Sequence, residues 1–238
     1  MYICFHERKA NVGNHEHTPG TLTNSSGKYN VDYAAYIARY GAVPSNGNGP
    51  LWYSYDFGSV HYTYLDSEES QDAGSPQLAW LQADLAAVDR TKTPWVLVFQ
   101  HRPLLCSTQS EEGDHVPGGK FLTLLEPTLL ANKVDLVVTG HEHLYERMNA
   151  VVKGVVVANA TGTRNAYVNP TGPVYVVQGT AGAFVGGDWM NPQPAWSAFR
   201  DGTTYGYGQM IVDGASSIDW TYMGSDGKVI DHWRIEKS

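Results

Sequence analysis

Two histidines spaced one residue apart are the residues of this sequence best suited to chemistry. His141 and His143 follow the apolar run 134–139, which is rich in valine and typical of a buried strand. In an extended segment the two side chains point the same way, whereas a turn near Gly140 would spread them apart. Neutral imidazole is a common ligand of zinc and iron, and open α/β sheets carry their chemistry where strands end. The pair therefore indicates a metal site, against the alternative of two unrelated surface histidines.

Three further stretches favour the metal site. A second buried-strand pattern, 95–100, ends on His101, and Gly13-Asn14-His15-Glu16 follows a short run that ends in Val12. Tyr145-Glu146-Arg147 trails the histidine pair. The order GNHE, HRP and GHEHLYER resembles the calcineurin-like metallophosphoesterases, and the fuller pattern resembles the purple acid phosphatases among them. The resemblance extends from about Val12 to the C-terminus.

The resemblance implies a binuclear metal centre, in which iron is paired with zinc, manganese or a second iron. It assigns Asn14, His101 and His141 to the second, divalent metal. It assigns His143 to the first metal, which is usually iron. In such centres two cations clamp the phosphate oxygens while a water ionised by the metal attacks phosphorus in line.

Two other histidines are candidates for contact with the phosphate ester. His15 matches the family's histidine that contacts phosphate and can protonate the leaving group, which is general acid catalysis. His115 lies in the long polar loop after His101, where family members carry substrate-facing histidines, although its register is open. We interpret Glu146 and Arg147 as a structural network behind the histidine loop rather than as catalytic groups.

The sequence upstream of Asn14 departs from the family pattern. Family members carry a DxG aspartate motif and a GDxxY motif before GNHE, and neither occurs here. Two aspartates and a tyrosine that serve the family as metal ligands are therefore missing. Asp56, Asp66, Asp135 and Asp231 lie near apolar strand patterns, but none stands in a motif of the required type. We therefore expect one divalent site to be retained.

The elements that must position these residues alternate between helix and strand patterns, which predicts an α/β fold. By resemblance it is an incomplete calcineurin-like sandwich of mixed β-sheets flanked by helices. Helical spacing covers 33–40, 75–90 and 121–131, the second beginning at a Ser75 N-cap followed by Pro76. Strand patterns cover a hairpin at 51–57 and 60–65, then 95–100, 134–139, 151–158, 173–178, 210–212, 218–223 and 229–235. We expect 189–200 to be irregular.

The resemblance also divides the chain. Residues 1–11 do not match the family, 12–238 match the C-terminal portion of its catalytic domain, and 170–238 resemble the C-terminal segment of purple acid phosphatases. The glycine-rich stretch 179–187 lacks the order of a nucleotide-binding loop, so we interpret it as an ordinary connection near the site.

Composition limits the partners of the chain. Its 238 residues suffice for one sizeable core, and a net charge of −8 argues against nucleic acid or an anionic membrane as partner. No run of 18 apolar residues predicts a transmembrane helix. Cys4 and Cys106 do not make a disulfide framework and are most simply free thiols. The oligomeric state is not predicted.

Two sequons bear on localisation. Asn24-Ser25-Ser26 and Asn159-Ala160-Thr161 are acceptor sequences for N-glycosylation, and with the family resemblance they favour a secreted glycoprotein. The residues from Met1 onward do not form a signal peptide, because charged residues interrupt the short apolar region. We therefore expect a leader that this sequence does not contain.

The function predicted from these residues is hydrolysis of phosphate monoesters by a metal-dependent enzyme of the purple acid phosphatase type, impaired by the missing motifs. The alternative is a non-catalytic remnant that retains the fold and at most one metal ion. A zinc peptidase is set aside, because His141-Glu142-His143 lacks the H-E-x-x-H spacing.

Overall fold

The computed structural model describes residues 10–16, 33–40, 46–109 and 114–238. Within these ranges, three short helices, a seven-stranded sheet and a four-stranded sheet form three layers, and two further strands pair as a separate hairpin. In chain order these elements are α1 (Ala34–Tyr40), β1 (Tyr53–Phe57), β2 (Val60–Tyr64), α2 (Pro76–Ala86), β3 (Trp95–Phe99), α3 (Lys120–Ala131), β4 (Leu136–Thr139), β5 (Tyr145–Met148), β6 (Ala150–Val152), β7 (Val155–Ala158), β8 (Ala166–Val168), β9 (Val174–Gln178), β10 (Ser197–Asp201), β11 (Gly206–Asp213), β12 (Ser217–Gly224) and β13 (Val229–Glu236).

The middle layer is a seven-stranded mixed sheet with the order β1-β2-β3-β4-β9-β5-β10. Strands β2, β3, β4 and β9 run parallel, while β1, β5 and β10 pair antiparallel with their neighbours. Strand β4, which precedes the histidine pair, is therefore the central strand. The carboxyl ends of β2, β3 and β4 meet at one edge of the sheet, so the loops that follow them are brought together.

The two faces of this sheet bury different cores, because successive side chains of a strand point to opposite faces. On β3, Val96 and Val98 pack in the core that contains Leu81 of α2 and Leu125 of α3. The intervening Leu97 lies in the core shared with the second sheet. Both faces are covered, which explains why the parallel strands appear in the sequence as continuous apolar runs.

The third layer is a four-stranded sheet with the order β11-β12-β13-β8, in which only the β13–β8 pair is parallel. It buries Trp220 and Trp233 against the middle sheet, with ring centroids 5.9 Å apart. Across the layers the rings of Tyr145 and Tyr222 stack at 4.2 Å. The predicted α/β sandwich of mixed sheets flanked by helices is confirmed.

Most predicted elements are present with shifted ends. The side chain of Ser75 accepts a hydrogen bond from the backbone N–H of Leu78, as an N-cap should, but α2 ends at Ala86 rather than near Arg90. The prediction of a single strand over 151–158 is wrong. Lys153 and Gly154 both adopt positive φ, so the chain turns back on itself and β6 pairs with β7 as a hairpin.

Three strands were not predicted. The prediction of irregular structure over 189–200 is wrong at its end, where β10 pairs antiparallel with β5 and sets Phe199 opposite Arg147. Strands β5 and β8 were missed as well. All three are short and two carry charged residues, so pairing with distant strands stabilises them rather than local preference.

Some sequence predictions fall outside the described residues. They include Cys4, the sequon at Asn24 and the segment 1–9. Among the described residues, the helices are too short and too polar for any of them to cross a membrane.

A polar network crosses from the middle sheet to the third layer. The Arg147 Nε donates to Asp231 Oδ2 at 2.8 Å, and the hydroxyl of Tyr145 donates to the same oxygen at 3.0 Å. The Arg147 Nη1 also donates to the hydroxyl of Tyr167 at 2.8 Å. Both partners of the ion pair have 5% of their side chains exposed. The Arg147 and Asp231 side chains therefore join β5 to β13 in the buried interior.

We expect Asp231→Asn to destabilise the protein by about 3–5 kcal/mol, because it leaves a buried guanidinium without its counter-charge. Urea unfolding measured by tryptophan fluorescence tests this. Asp226→Asn, in an exposed turn, is the matched control and should unfold like the parent. Equal unfolding midpoints for the Asp231 variant and the parent would contradict the expected role.

A second network makes stability depend on pH. The His61 Nδ1 lies 2.6 Å from Asp56 Oδ1 and its Nε2 lies 3.1 Å from Asp84 Oδ2. Burial alone would lower the pKa of His61, but the bonds to Asp84 and Asp56 outweigh it and raise that pKa. A raised pKa in the folded state means that protonated His61 stabilises the protein. This contribution is complete below the unfolded pKa of about 6.5 and is lost as pH rises through the folded pKa.

We therefore expect His61→Gln to lower the Tm more at pH 5.5 than at pH 8.5. Thermal melts of parent and variant across this range measure the difference. His232→Gln, a half-exposed histidine 3.7 Å from Asp219, is the control and should lower the Tm less than His61→Gln at pH 5.5. A pH-independent gap between His61→Gln and the parent would rule out this linkage.

Candidate metal centre

His101 and His141 meet because their strands are parallel neighbours. Each histidine follows its strand by two residues, and Phe99 of β3 is in register with Val138 of β4. The backbone N–H of Gly140 donates to the carbonyl of His101 at 2.9 Å, which ties the two loops together. The register of two buried strands thus sets the distance between the two imidazoles.

Three predicted ligands converge on one point. The His101 Nε2 lies 2.8 Å from Asn14 Oδ1 and 3.1 Å from His141 Nδ1. A divalent cation with bonds of about 2.0–2.2 Å holds neighbouring ligand atoms about 2.8–3.5 Å apart. Both separations from the His101 nitrogen fit that geometry, and two imidazoles with one amide oxygen suit zinc or a similar cation.

The electrostatics favour a neutral imidazole for His101, the central member of the trio formed by Asn14, His101 and His141. Burial is the main cause that lowers the pKa of His101, to about 3, and the nearby His141 and Arg102 act in the same direction. His101 therefore keeps an unprotonated nitrogen at any ordinary pH, which ligation to a metal requires.

Two backbone features allow the segments that carry the candidate ligands to approach one another closely. A Cβ built on Gly13 would lie 2.8 Å from the ring of His101, so only glycine lets the segment 13–16 lie against that imidazole. His141 adopts a φ of 64°, a left-handed conformation that is rare for residues with a side chain and costs on the order of 1–3 kcal/mol. This turn separates the two histidines that an extended strand would have kept on one side.

His143 makes contacts that differ from those of the trio. Its ring packs edge-on against Phe184 with centroids 4.6 Å apart, and its carbonyl accepts a hydrogen bond from the backbone N–H of Gly186. The glycine-rich stretch 179–187 is thus in direct contact with the histidine loop. A Cβ at Gly179 would lie 1.8 Å from the carbonyl oxygen of Glu142, so this glycine is required by close packing.

The two substrate-facing candidates differ in exposure. His15 is exposed next to Asn14. His115 is 3% exposed, and its Nδ1 lies 3.0 Å from the carbonyl oxygen of Pro103. The ring of His115 lies 6.3 Å from that of His141, so the loop after β3 does return to the centre.

Sequence reasoning missed a charged pair beside the trio. Arg102 donates through Nε to Glu68 Oε1 at 3.0 Å, and its Nη1 lies 3.5 Å from His141 Nε2. Glu68 follows β2, whose carboxyl end lies at the same edge of the sheet as that of β3. Glu68 stands in no recognisable sequence motif, and only the order of the strands in the sheet places it beside Arg102.

Glu146 and Arg147 lie in structural networks, as we interpreted them. The Glu146 carboxylate is fully buried and accepts hydrogen bonds from the backbone N–H and the hydroxyl of Ser107 and from the hydroxyl of Ser197. It thereby joins β5 to β10 and to the loop after β3. Arg147 binds Asp231 on the other face, because the two side chains alternate along β5.

Three of the four aspartates considered as substitute ligands are engaged elsewhere. Asp231 pairs with Arg147, Asp135 pairs with Arg90 and Lys237, and Asp56 pairs with His61. In the part of the chain that the structure describes, no group of three His, Cys, Asp or Glu side chains is arranged to hold a metal. The candidate centre takes its third donor from the amide of Asn14 instead.

Comparison with known proteins identifies the family. The model described as "Calcineurin-like phosphoesterase" matches residues 3–145, and the model described as "Iron/zinc purple acid phosphatase-like protein C" matches residues 172–232. The first match covers more than half of the chain and contains all four predicted metal ligands. This family comprises phosphoesterases with binuclear metal centres.

Individual relatives agree with the family models. The chain is 34% identical over 184 residues to purple acid phosphatase 18 of Arabidopsis thaliana, covering 76% of this chain and 38% of the relative. It is 35% identical over 192 residues to probable inactive purple acid phosphatase 9 of the same plant, covering 76% and 28%. The chain thus spans less than half the length of these relatives.

Among solved structures, purple acid phosphatase PPD1 from yellow lupin (Lupinus luteus) seeds superposes with a TM-score of 0.80 at 28% identity. The match covers 95% of this chain and 40% of the lupin chain. Strands β11 and β12 and the first half of β13, which lie in the segment 172–232, are thus part of a fold that a purple acid phosphatase shares. The chain belongs to the calcineurin-like phosphoesterases and, among them, to the purple acid phosphatases.

Proposed function

We propose that this chain hydrolyses phosphate monoesters at a centre in which Asn14, His101 and His141 hold one divalent cation. The observation that carries the proposal is the convergence of Asn14 Oδ1 and His141 Nδ1 on His101 Nε2, at 2.8 and 3.1 Å. Three protein ligands with an open position are an ordinary arrangement for catalytic zinc.

Such a cation, when bound, supplies a lowered pKa for water and positive charge beside the phosphate oxygens. The residues of the chain supply the rest. His101 is kept neutral by burial, and Arg102, whose charge is paired with Glu68, lies 3.5 Å from His141. His15, exposed beside Asn14, is placed to protonate the departing alcohol, and His115 is proposed to face the ester from the loop after β3.

The neutral character of the three proposed ligands also limits the activity that we expect. All three ligands of the trio are neutral, so no carboxylate among them offsets the charge of the cation. With one cation, the clamp on both the attacking and the leaving oxygen is incomplete, and turnover should be low.

The second candidate function is a non-catalytic protein that keeps the fold and at most one metal. The neutral trio and the lack of a metal-holding His, Cys, Asp or Glu group among the described residues favour it. Hydrolysis of a phosphate monoester by the zinc-loaded chain separates the two candidates. Rates above those of a His101→Ala variant support the enzyme, and equal rates support the non-catalytic protein.

The division of the chain and its localisation are also proposed. We treat 12–238 as one catalytic unit in which 170–238 is a C-terminal segment, since Trp220 and Trp233 share a core with the middle sheet. A secreted glycoprotein fits the sequon at Asn159, whose side chain lies on an exposed part of the surface. The substrate is a phosphate monoester rather than nucleic acid, in keeping with the acidic charge of the chain.

We expect the purified chain to bind about one equivalent of Zn²⁺. Removing the imidazole of His101 or His141 should weaken binding by more than the roughly 10- to 100-fold that loss of an outer-sphere partner costs. Titration calorimetry with Zn²⁺ measures both the stoichiometry and the affinity of binding. His232→Ala on β13 is the matched control. Two tightly held equivalents, or full affinity in His101→Ala, would show that other residues hold the metal.

If His15 is the proton donor, the loss of rate in His15→Ala should depend on the leaving group of the ester. His15→Ala should slow hydrolysis of an alkyl phosphate by about 100-fold or more, because an alkoxide leaves poorly without a proton. Hydrolysis of p-nitrophenyl phosphate should slow much less, since nitrophenolate leaves unprotonated. Steady-state rates with both esters test this, again with His232→Ala as control. Equal loss for both esters, or no loss, would remove the proton-donor role.

A further inference from the structure

Phe184 is the most exposed large hydrophobic side chain in the described part of the chain. Its exposed fraction is 75%, in a stretch where Ala181, Gly182 and Ala183 are exposed as well. An aromatic ring left in water gives up the free energy of burial that drives folding. Packing within the described fold therefore uses only a small part of this ring.

The ring of Phe184 stands against the candidate centre. Its centroid lies 4.6 Å from that of the His143 imidazole at an interplanar angle of 78°, so the two rings meet edge to face. The exposed remainder of the phenyl group therefore adjoins the histidine loop and faces water.

The backbone holds Phe184 in this place. The stretch 179–187 is tied to the histidine loop at both ends, by Gly179 N–H to the carbonyl of Leu144 at 2.9 Å and by Gly186 N–H to the carbonyl of His143 at 3.0 Å. Between them Gly182 adopts a φ of 132°, which side chains rarely permit. The position of the ring is thus set by the same loop that carries the candidate ligands.

We propose that Phe184 is a specificity-determining residue that contacts the leaving group of the ester and favours aromatic phosphate monoesters over small alkyl ones. This inference rests on the proposed function, because it requires the phosphate to bind beside the histidine loop. Phe184 packs on His143, which follows the proposed ligand His141 by two residues, so an ester bound beside the histidine loop would adjoin the ring. An aryl leaving group can pack against the exposed ring, whereas a methyl group is too small to cover it.

The experiment compares two phosphonates that cannot be hydrolysed, so that it does not depend on turnover. Phenylphosphonate and methylphosphonate are titrated into the zinc-loaded full chain, and the ratio of their dissociation constants gives the preference for the aryl group. We expect the parent to prefer phenylphosphonate. Phe184→Ala should reduce that preference by about two- to tenfold, the usual range for one aromatic pair.

Matched variants make the result specific. Phe184→Tyr keeps an aromatic ring and should keep the preference. Tyr207→Ala removes another exposed aromatic, 56% exposed on β11, and should also leave the preference unchanged. Zinc stoichiometry and the affinity for methylphosphonate should stay at parent values in all three variants, which shows that the centre itself is intact.

The outcomes separate this inference from the proposed function. A Phe184→Ala variant that binds both phosphonates with the parent's ratio would overturn the role of Phe184 alone. The same loss in Tyr207→Ala would overturn it too, because the effect would not be local. A parent chain that binds zinc but neither phosphonate would reject the proposed function together with this inference.

Discussion

The Arg147 guanidinium and the Asp231 carboxylate meet between the two sheets, with 5% of each side chain exposed. Removing two charges from water is costly, and only their mutual contact and the hydroxyl groups of Tyr145 and Tyr167 offset that cost. The pair exists only when β5 and β13 are both in place. It therefore fixes the strand that follows the histidine loop against the third layer, and with it the base of the candidate centre.

From that base the centre is built by strand ends and by glycines. The parallel register of β3 and β4 brings His101 to His141, and the bare backbone of Gly13 lets Asn14 reach the same point. Gly179 similarly lets the glycine-rich stretch lie directly on the histidine loop. Strand register and close backbone contact are rigid constraints. The donor atoms are consequently held near ligand spacing before any cation binds, which lowers the ordering cost of binding it.

The charge distribution gives the centre its character. The three donor groups of the trio are neutral, and Arg102 lies next to one of them. A cation bound there would gain little from these neutral donors, whereas a phosphate dianion would gain from the cation and from a guanidinium whose charge Glu68 partly offsets. Anion and cation should therefore support each other's binding more strongly than in a centre whose ligands are carboxylates. Membership in the purple acid phosphatases fits a phosphate ligand of this kind.

The sequence by itself determined most of the local elements and the candidate donors. Apolar runs that end on His101 and His141 predicted two buried strands with histidines at one edge, since period and strand ends are local properties. The sequence could not decide whether His141 and His143 act together, because that depends on the left-handed backbone at His141. Glu68, the pairing of β10 with β5, and Phe184 against His143 were likewise out of reach. Each is a contact between residues distant in the chain, and only the order and register of the strands in the sheets decide which distant residues meet.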